Sequence, residues 1–141
     1  MKIITSTLNG AALDWAVAQC VYAHDSGIYT PHAHAAPTVL NLGDVDGSAW
    51  VYYLGQQWNP STNWLQGGPI IERERIATGD QQSTAGAYLW TASNRTSRQR
   101  WLSRKGGPHD GYYYGPTLLI AGMRCYVAKI GDDVDIPEEL I

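Results

Sequence analysis

Phenylalanine is missing from the 141 residues altogether. The aromatic rings are instead nine tyrosines and six tryptophans, and each carries a hydroxyl or indole N–H that wants a partner once buried. Such residues suit either a core whose polar tips reach its rim or an amphipathic surface for a partner. Charge is also scarce: 16% of residues are Asp, Glu, Lys or Arg, against roughly 25% in an average soluble chain. Few charges and many aromatics exclude intrinsic disorder. A net charge of −3 supplies no global field toward nucleic acid or an anionic membrane. No apolar run approaches the length of a membrane span, and the first residues lack the basic-then-apolar pattern of a signal peptide. A cytoplasmic protein that does not enter a membrane is therefore expected. The two cysteines, Cys20 and Cys125, belong to no CxxC or Cys/His pair, so both read as small buried hydrophobes rather than a disulfide or metal ligands.

The length suits one domain spanning 1–141, large enough to bury a core without staples. Near the start, Asn9 is placed to cap a helix over about 10–21. Leu8 and Leu13 have hydrophobic-staple spacing, and Leu13, Ala16, Val17 and Cys20 form an apolar stripe. Residues 38–42 and 49–54 read as two strands around the turn chemistry of 43–47. Past Pro60, a helix is expected either over Pro69–Arg75 or as a longer element kinked at Gly67 and Gly68, because Pro69 disrupts a helix interior. Segments 76–78 and 87–92 read as further strands, and 93–114, poor in aliphatics, as a long surface loop. The last helix is the clearest, with Pro116 at its first position, Leu119, Ile120, Met123, Val127 and Ile130 as the buried stripe, and Gly131 as its left-handed stop. The acidic tail 132–141 docks through Val134 and Ile136 as a short strand. The fold class that follows is α+β, a small antiparallel sheet with two or three helices packed on one face, the first and last helices side by side.

Several blocks of the sequence stand out. They are Leu8 to Val17 (LNGAALDWAV), Pro60 to Trp64 (PSTNW), Gly67 to Glu74 (GGPIIERE), Gly115 to Ala128 (GPTLLIAGMRCYVA) and Gly131 to Leu140 (GDDVDIPEEL). In kind and order they resemble the small NinX-like family of phage and prophage genomes. The chain departs from it at Gly122, where Ala is expected, at Leu118, where Pro is common, and over 81–114. The resemblance implies an accessory role in infection or lysogeny inside the bacterial host. It implies no catalytic residues, because the family is a domain of unknown function.

Catalysis finds little support. GxSxG, HExxH, P-loop and dinucleotide fingerprints are all missing, so no cofactor is implied. Glu72, Glu74, His109 and Asp110 have acid–base chemistry, but nothing in the spacing gathers them. His32 and His34, with His24, Asp25, His109 or Asp110 as further ligands, form a weak metal pattern in a proline-flanked loop. The stronger candidates are three. Arg124 borders the last helix's stripe: it either pairs structurally with Asp14 or Glu72, or grips an anionic ligand in a cleft walled by Trp64. Tyr112, Tyr113 and Tyr114 offer a surface for an unidentified host or phage protein, or for a homo-oligomer. Arg95, Arg98, Arg100, Arg104 and Lys105 surround Trp101, the charge-and-stacking combination of a single-strand nucleic-acid site; the alternative there is a solvated loop that offsets the acidic tail. The leading expectation is a non-catalytic protein-binding module, with nucleic-acid binding and a small-molecule enzyme as alternatives.

Overall fold

Strand pairing ties the two ends of the chain together. The computed structural model describes residues 1–24, 35–41, 48–82, 88–103 and 110–141. Strand β1 (Lys2–Ile4) runs antiparallel to β8 (Asp133–Asp135), with Ile3 opposite Val134. Val134 and Ile136 are buried, so the acidic tail does dock as a strand. A second sheet is a meander of β2 (Thr38–Asn41), β3 (Ala49–Tyr53) and β4 (Gln56–Trp58). A third is a meander of β5 (Ala77–Gln82), β6 (Tyr88–Ser93) and β7 (Tyr113–Gly115). The fold is mixed α+β, and its described strands are divided among these small antiparallel sheets. The turn at 43–47 lies outside the described residues.

Helix α1 (Gly10–His24) extends beyond its expected end. Leu13, Ala16, Val17 and Cys20 are all fully buried, as the apolar stripe requires, and Ala18 and Val21 add to them. A helix this apolar around its circumference belongs inside a fold. It lies against the last helix, α4 (Leu118–Val127), and against β3. Both cysteines are buried thiols in these two helices.

Helix α4 is the hub: it touches α1, β6, β7 and α2 (Trp64–Arg73). It starts two residues after Pro116. Thr117 is the N-cap, its Oγ1 accepting from the Ile120 amide at 3.1 Å, which leaves the proline in the extended chain before the helix. The helix also ends before the expected stripe does, so Ile130 is 40% exposed rather than core.

Helix α2 is one continuous element with Pro69 inside it. Asn63 caps it, accepting from the Leu65 amide at 3.0 Å. The glycines before the proline bring the helix close to its neighbours rather than end it. A Cβ on Gly67 would lie 2.4 Å from the Pro60 carbonyl oxygen and 2.7 Å from Leu119 Cδ2. From the other side, a Cβ on Gly122 would come within 2.8 Å of Ile71 Cδ1. The departure from Ala at Gly122 is thus the shape that Ile71 needs.

The expected loop over 93–114 is instead helix α3 (Arg95–Ser103) followed by β7, with 104–109 outside the described residues. The local reason is a reciprocal cap. Asn94 Oδ1 accepts from the Ser97 amide at 2.8 Å, and Ser97 Oγ accepts from the Asn94 amide at 3.0 Å. Two of the donors that a helix start leaves orphaned are satisfied by one pair of side chains.

Candidate functional site

Strand β7 sorts two of the three adjacent tyrosines by pleat. Tyr113 pairs with Ala92 and is 3% exposed, so its ring belongs to the core. Tyr114 points the other way, as the next residue in a strand must, and Tyr112 precedes the strand. Tyr112 is 37% exposed and Tyr114 half-buried. The turn into the strand is an Asx turn: Asp110 Oδ1 accepts from the Tyr112 amide at 3.0 Å, and Gly111 supplies a φ of +81°. The other carboxylate oxygen of Asp110 accepts from the Tyr114 hydroxyl. Burial, reinforced by that carboxylate, pushes the Tyr114 hydroxyl up to about 12, so it stays protonated near neutral pH.

Arg124 reaches this strand from α4. Its Nε donates to the Leu8 carbonyl at 2.7 Å and its Nη1 to the Tyr114 carbonyl at 2.6 Å. The group is half-buried, and burial lowers its pKa from the usual guanidinium value; a guanidinium remains charged even so. Two convergent carbonyls therefore hold the arginine where a carboxylate was anticipated. Asp14 is engaged elsewhere, accepting from the Ser61 amide at 2.8 Å. The Nη2 nitrogen of Arg124 donates to none of the described residues.

Arg124, Tyr112, Tyr114 and Asp110, with Leu89 and Ser6, line one open cleft of about 400 Å³. Of the residues proposed from sequence, the structure brings Arg124 and the tyrosines together and leaves Trp64 out. Trp64 opens α2, is 57% exposed, and does not line this cleft; Leu89 and the tyrosines form its apolar walls instead. Ser6 and Leu89 had no distinguishing signal in the sequence. Asp110 had one, since Asp-Gly before a strand is turn chemistry, but its carboxylate serves the turn and Tyr114.

The basic block adjoins the cleft. Arg95 and Arg98 are exposed on α3 and Trp101 is 47% exposed, whereas Arg100 is anchored, its Nη1 donating to the Ala128 carbonyl at 2.8 Å. Arg104 and Lys105 lie outside the described residues. A Cβ built on Gly111 would sit 3.5 Å from both the Arg98 Cα and the Trp101 Cβ, so the tyrosine turn is seated directly on this helix. Elsewhere, Glu74 accepts from Lys129 at 3.0 Å and Arg73 at 3.4 Å, and takes no part in the cleft. Asp25, His32, His34 and His109 lie outside the described residues, as does the side chain of His24. Among the described residues no three metal-ligating side chains cluster, and no helix is long and apolar enough to cross a membrane.

The family model described as bacteriophage P22 NinX matches residues 4–129. No curated protein matches the chain.

Proposed function

The chain belongs to the bacteriophage P22 NinX family, and we propose that it serves the phage in the host cytoplasm as a non-catalytic module that binds a host or phage protein. The cleft between Tyr112, Tyr114 and Arg124 receives that partner. The observation that carries this reading is the pinning of Arg124 by two backbone carbonyls, with Nη2 donating to none of the described residues. A guanidinium held this way presents its remaining donors at little further entropic cost. Tyrosine and arginine are also the side chains over-represented at interface hot spots. The occupant that fits is a carboxylate-bearing side chain or chain end, gripped by Arg124 with the tyrosine rings against its apolar stem. Proton transfer is poorly served here, because Tyr114 is held protonated and Asp110 is consumed by two hydrogen bonds.

The test is affinity capture from infected-cell lysate, with and without nuclease, using the wild-type chain and Tyr112→Ala. Tyr112 is exposed, so its truncation leaves the fold intact. A protein that survives nuclease and is captured at least tenfold less by Tyr112→Ala supports the cleft. Capture that disappears with nuclease overturns the reading and assigns binding to nucleic acid on α3. Equal capture by both chains places the partner elsewhere.

A further inference from the structure

Two blocks of the chain carry equal and opposite charge. Residues 95–105 contain five basic and no acidic side chains, and residues 132–139 contain five acidic and no basic ones. Neutralisation within one molecule would be the simplest arrangement, yet no ion pair among the described residues joins α3 to the acidic block. Lys2 takes Asp133 at 3.5 Å, and the remaining cationic pairs fall on Asp135 and Glu74. The carboxylates of Glu138 and Glu139 make no ion pair among the described residues.

Each block also has an apolar surface beside it. On α3, Ser97 and Arg100 are three apart and face the fold, Ser97 Oγ lying 3.0 Å from the Gly111 carbonyl and Arg100 donating to Ala128. The opposite side of the helix, by the same period, presents Arg95 and Leu102, while Arg98 and Trp101 lie on the flank beside Gly111. Leu102 is 70% exposed and Trp101 47% exposed, large apolar groups on a helix whose other outward residues are polar. At the acidic block, Trp15, Ile130, Val134 and Pro137 wall a groove of about 700 Å³ with Gln19 and Glu138 at its edge. One surface is basic with projecting apolar side chains; the other is acidic with an apolar recess.

We propose that the chain associates with a second copy of itself, α3 of each molecule entering the acidic groove of the other. Trp101 and Leu102 fill the recess, and Arg95 and Arg98 meet Glu138 and Glu139. The two patches adjoin on one molecule, since Arg100 bonds Ala128 and Ile130, two residues on, lines the groove. Neighbouring complementary patches can pair reciprocally about a two-fold axis, which closes the assembly at a dimer instead of a filament. The interface borders the cleft of Tyr112 and Arg124, because the turn at Gly111 rests on Arg98 and Trp101.

Sedimentation equilibrium of the untagged, nuclease-treated full chain tests this at low and high salt. The expected result is a species of twice 15.5 kDa that weakens as salt rises, because the paired charges lie at the surface. Arg95→Glu with Arg98→Glu should weaken association at least tenfold, as should Glu138→Arg with Glu139→Arg. Both pairs are exposed, and circular dichroism checks that each variant is folded. Mixing the two charge-reversed proteins should restore a heterodimer in which every contact is again between opposite charges. A monomer across the concentration range, or a dimer indifferent to both reversals, overturns the proposal. A loss in each variant without rescue on mixing does so too.

Discussion

Helix α4 buries seven of its ten residues, whereas α3 buries only Ser97 of its nine. The two elements occupy one fold and are held in it by different forces. Burial of apolar surface fixes α4, with Met123, Tyr126 and Val127 fully enclosed among α1, α2 and the third sheet. Directed polar contacts fix α3: the Asn94–Ser97 cap, the Ser97 link to Gly111, and the Arg100 bond to Ala128. An element attached through a few hydrogen bonds can leave its whole outer face to a partner. An element attached through apolar burial cannot, and α4 contributes only Arg124 to the cleft.

The largest break in this contrast comes from truncating the two helices in the same way. Met123→Ala empties a fully buried site, and an unrelaxed cavity of that size costs about 2–5 kcal/mol. Leu102→Ala removes an exposed group of similar size from α3 and, at concentrations where the chain is monomeric, should change stability by less than about 0.5 kcal/mol. Urea denaturation of both variants measures the difference. Equal losses would mean that α3 is packed by burial after all.

A smaller effect is expected where α3 does depend on its contacts. Ser97→Ala deletes the acceptor for the Asn94 amide and the donor to the Gly111 carbonyl, at a cost of about 1–2 kcal/mol. The loss should also be local. Amide hydrogen exchange should speed up over 98–103 and stay unchanged over 119–127, because a polar anchor fails without disturbing the apolar core.

These attachments also explain what could be read from the residues beforehand. Helices α1 and α4 declare themselves through apolar spacing, since burial of a stripe is what holds them. Helix α3 has no such stripe, and its stretch reads as a loop if aliphatic content is the guide. The cap Asn94-x-x-Ser97 was the available signal, with serine standing where Glu or Gln is the familiar partner. At α4 the error ran the other way: Pro116 suits a first helical position, but Thr117 behind it is the better cap and takes the role. Arg124 was visible as a charge at the edge of an apolar face. Its partners were not, because the Leu8 and Tyr114 carbonyls are backbone groups that every residue carries. The tyrosines were legible as a cluster, and only strand pairing with β6 separates Tyr113, in the core, from Tyr114 outside it.

The apolar half of the molecule buries a single carboxylate among the described residues, and that group yields a further, modest effect. Asp14 lies in α1 among buried neighbours and is only 5% exposed. Burial raises its carboxyl from 3.8 to about 6, although the hydrogen bond from the Ser61 amide opposes the shift. The folded chain therefore binds a proton more tightly than the unfolded chain. Stability from this site is fully present below pH 3.8 and is lost as pH rises through about 6. Between pH 7 and pH 5 the folded state should gain on the order of 1 kcal/mol from Asp14 alone. Asp14→Asn keeps an oxygen for the Ser61 amide and removes the titration. The difference between wild-type and variant unfolding free energies, read from urea denaturation, should thus change by that amount across the interval. A difference that does not vary with pH would mean that Asp14 is solvated well enough to behave as a surface carboxylate, and the contrast between an apolar half and a polar one would then need redrawing at α1.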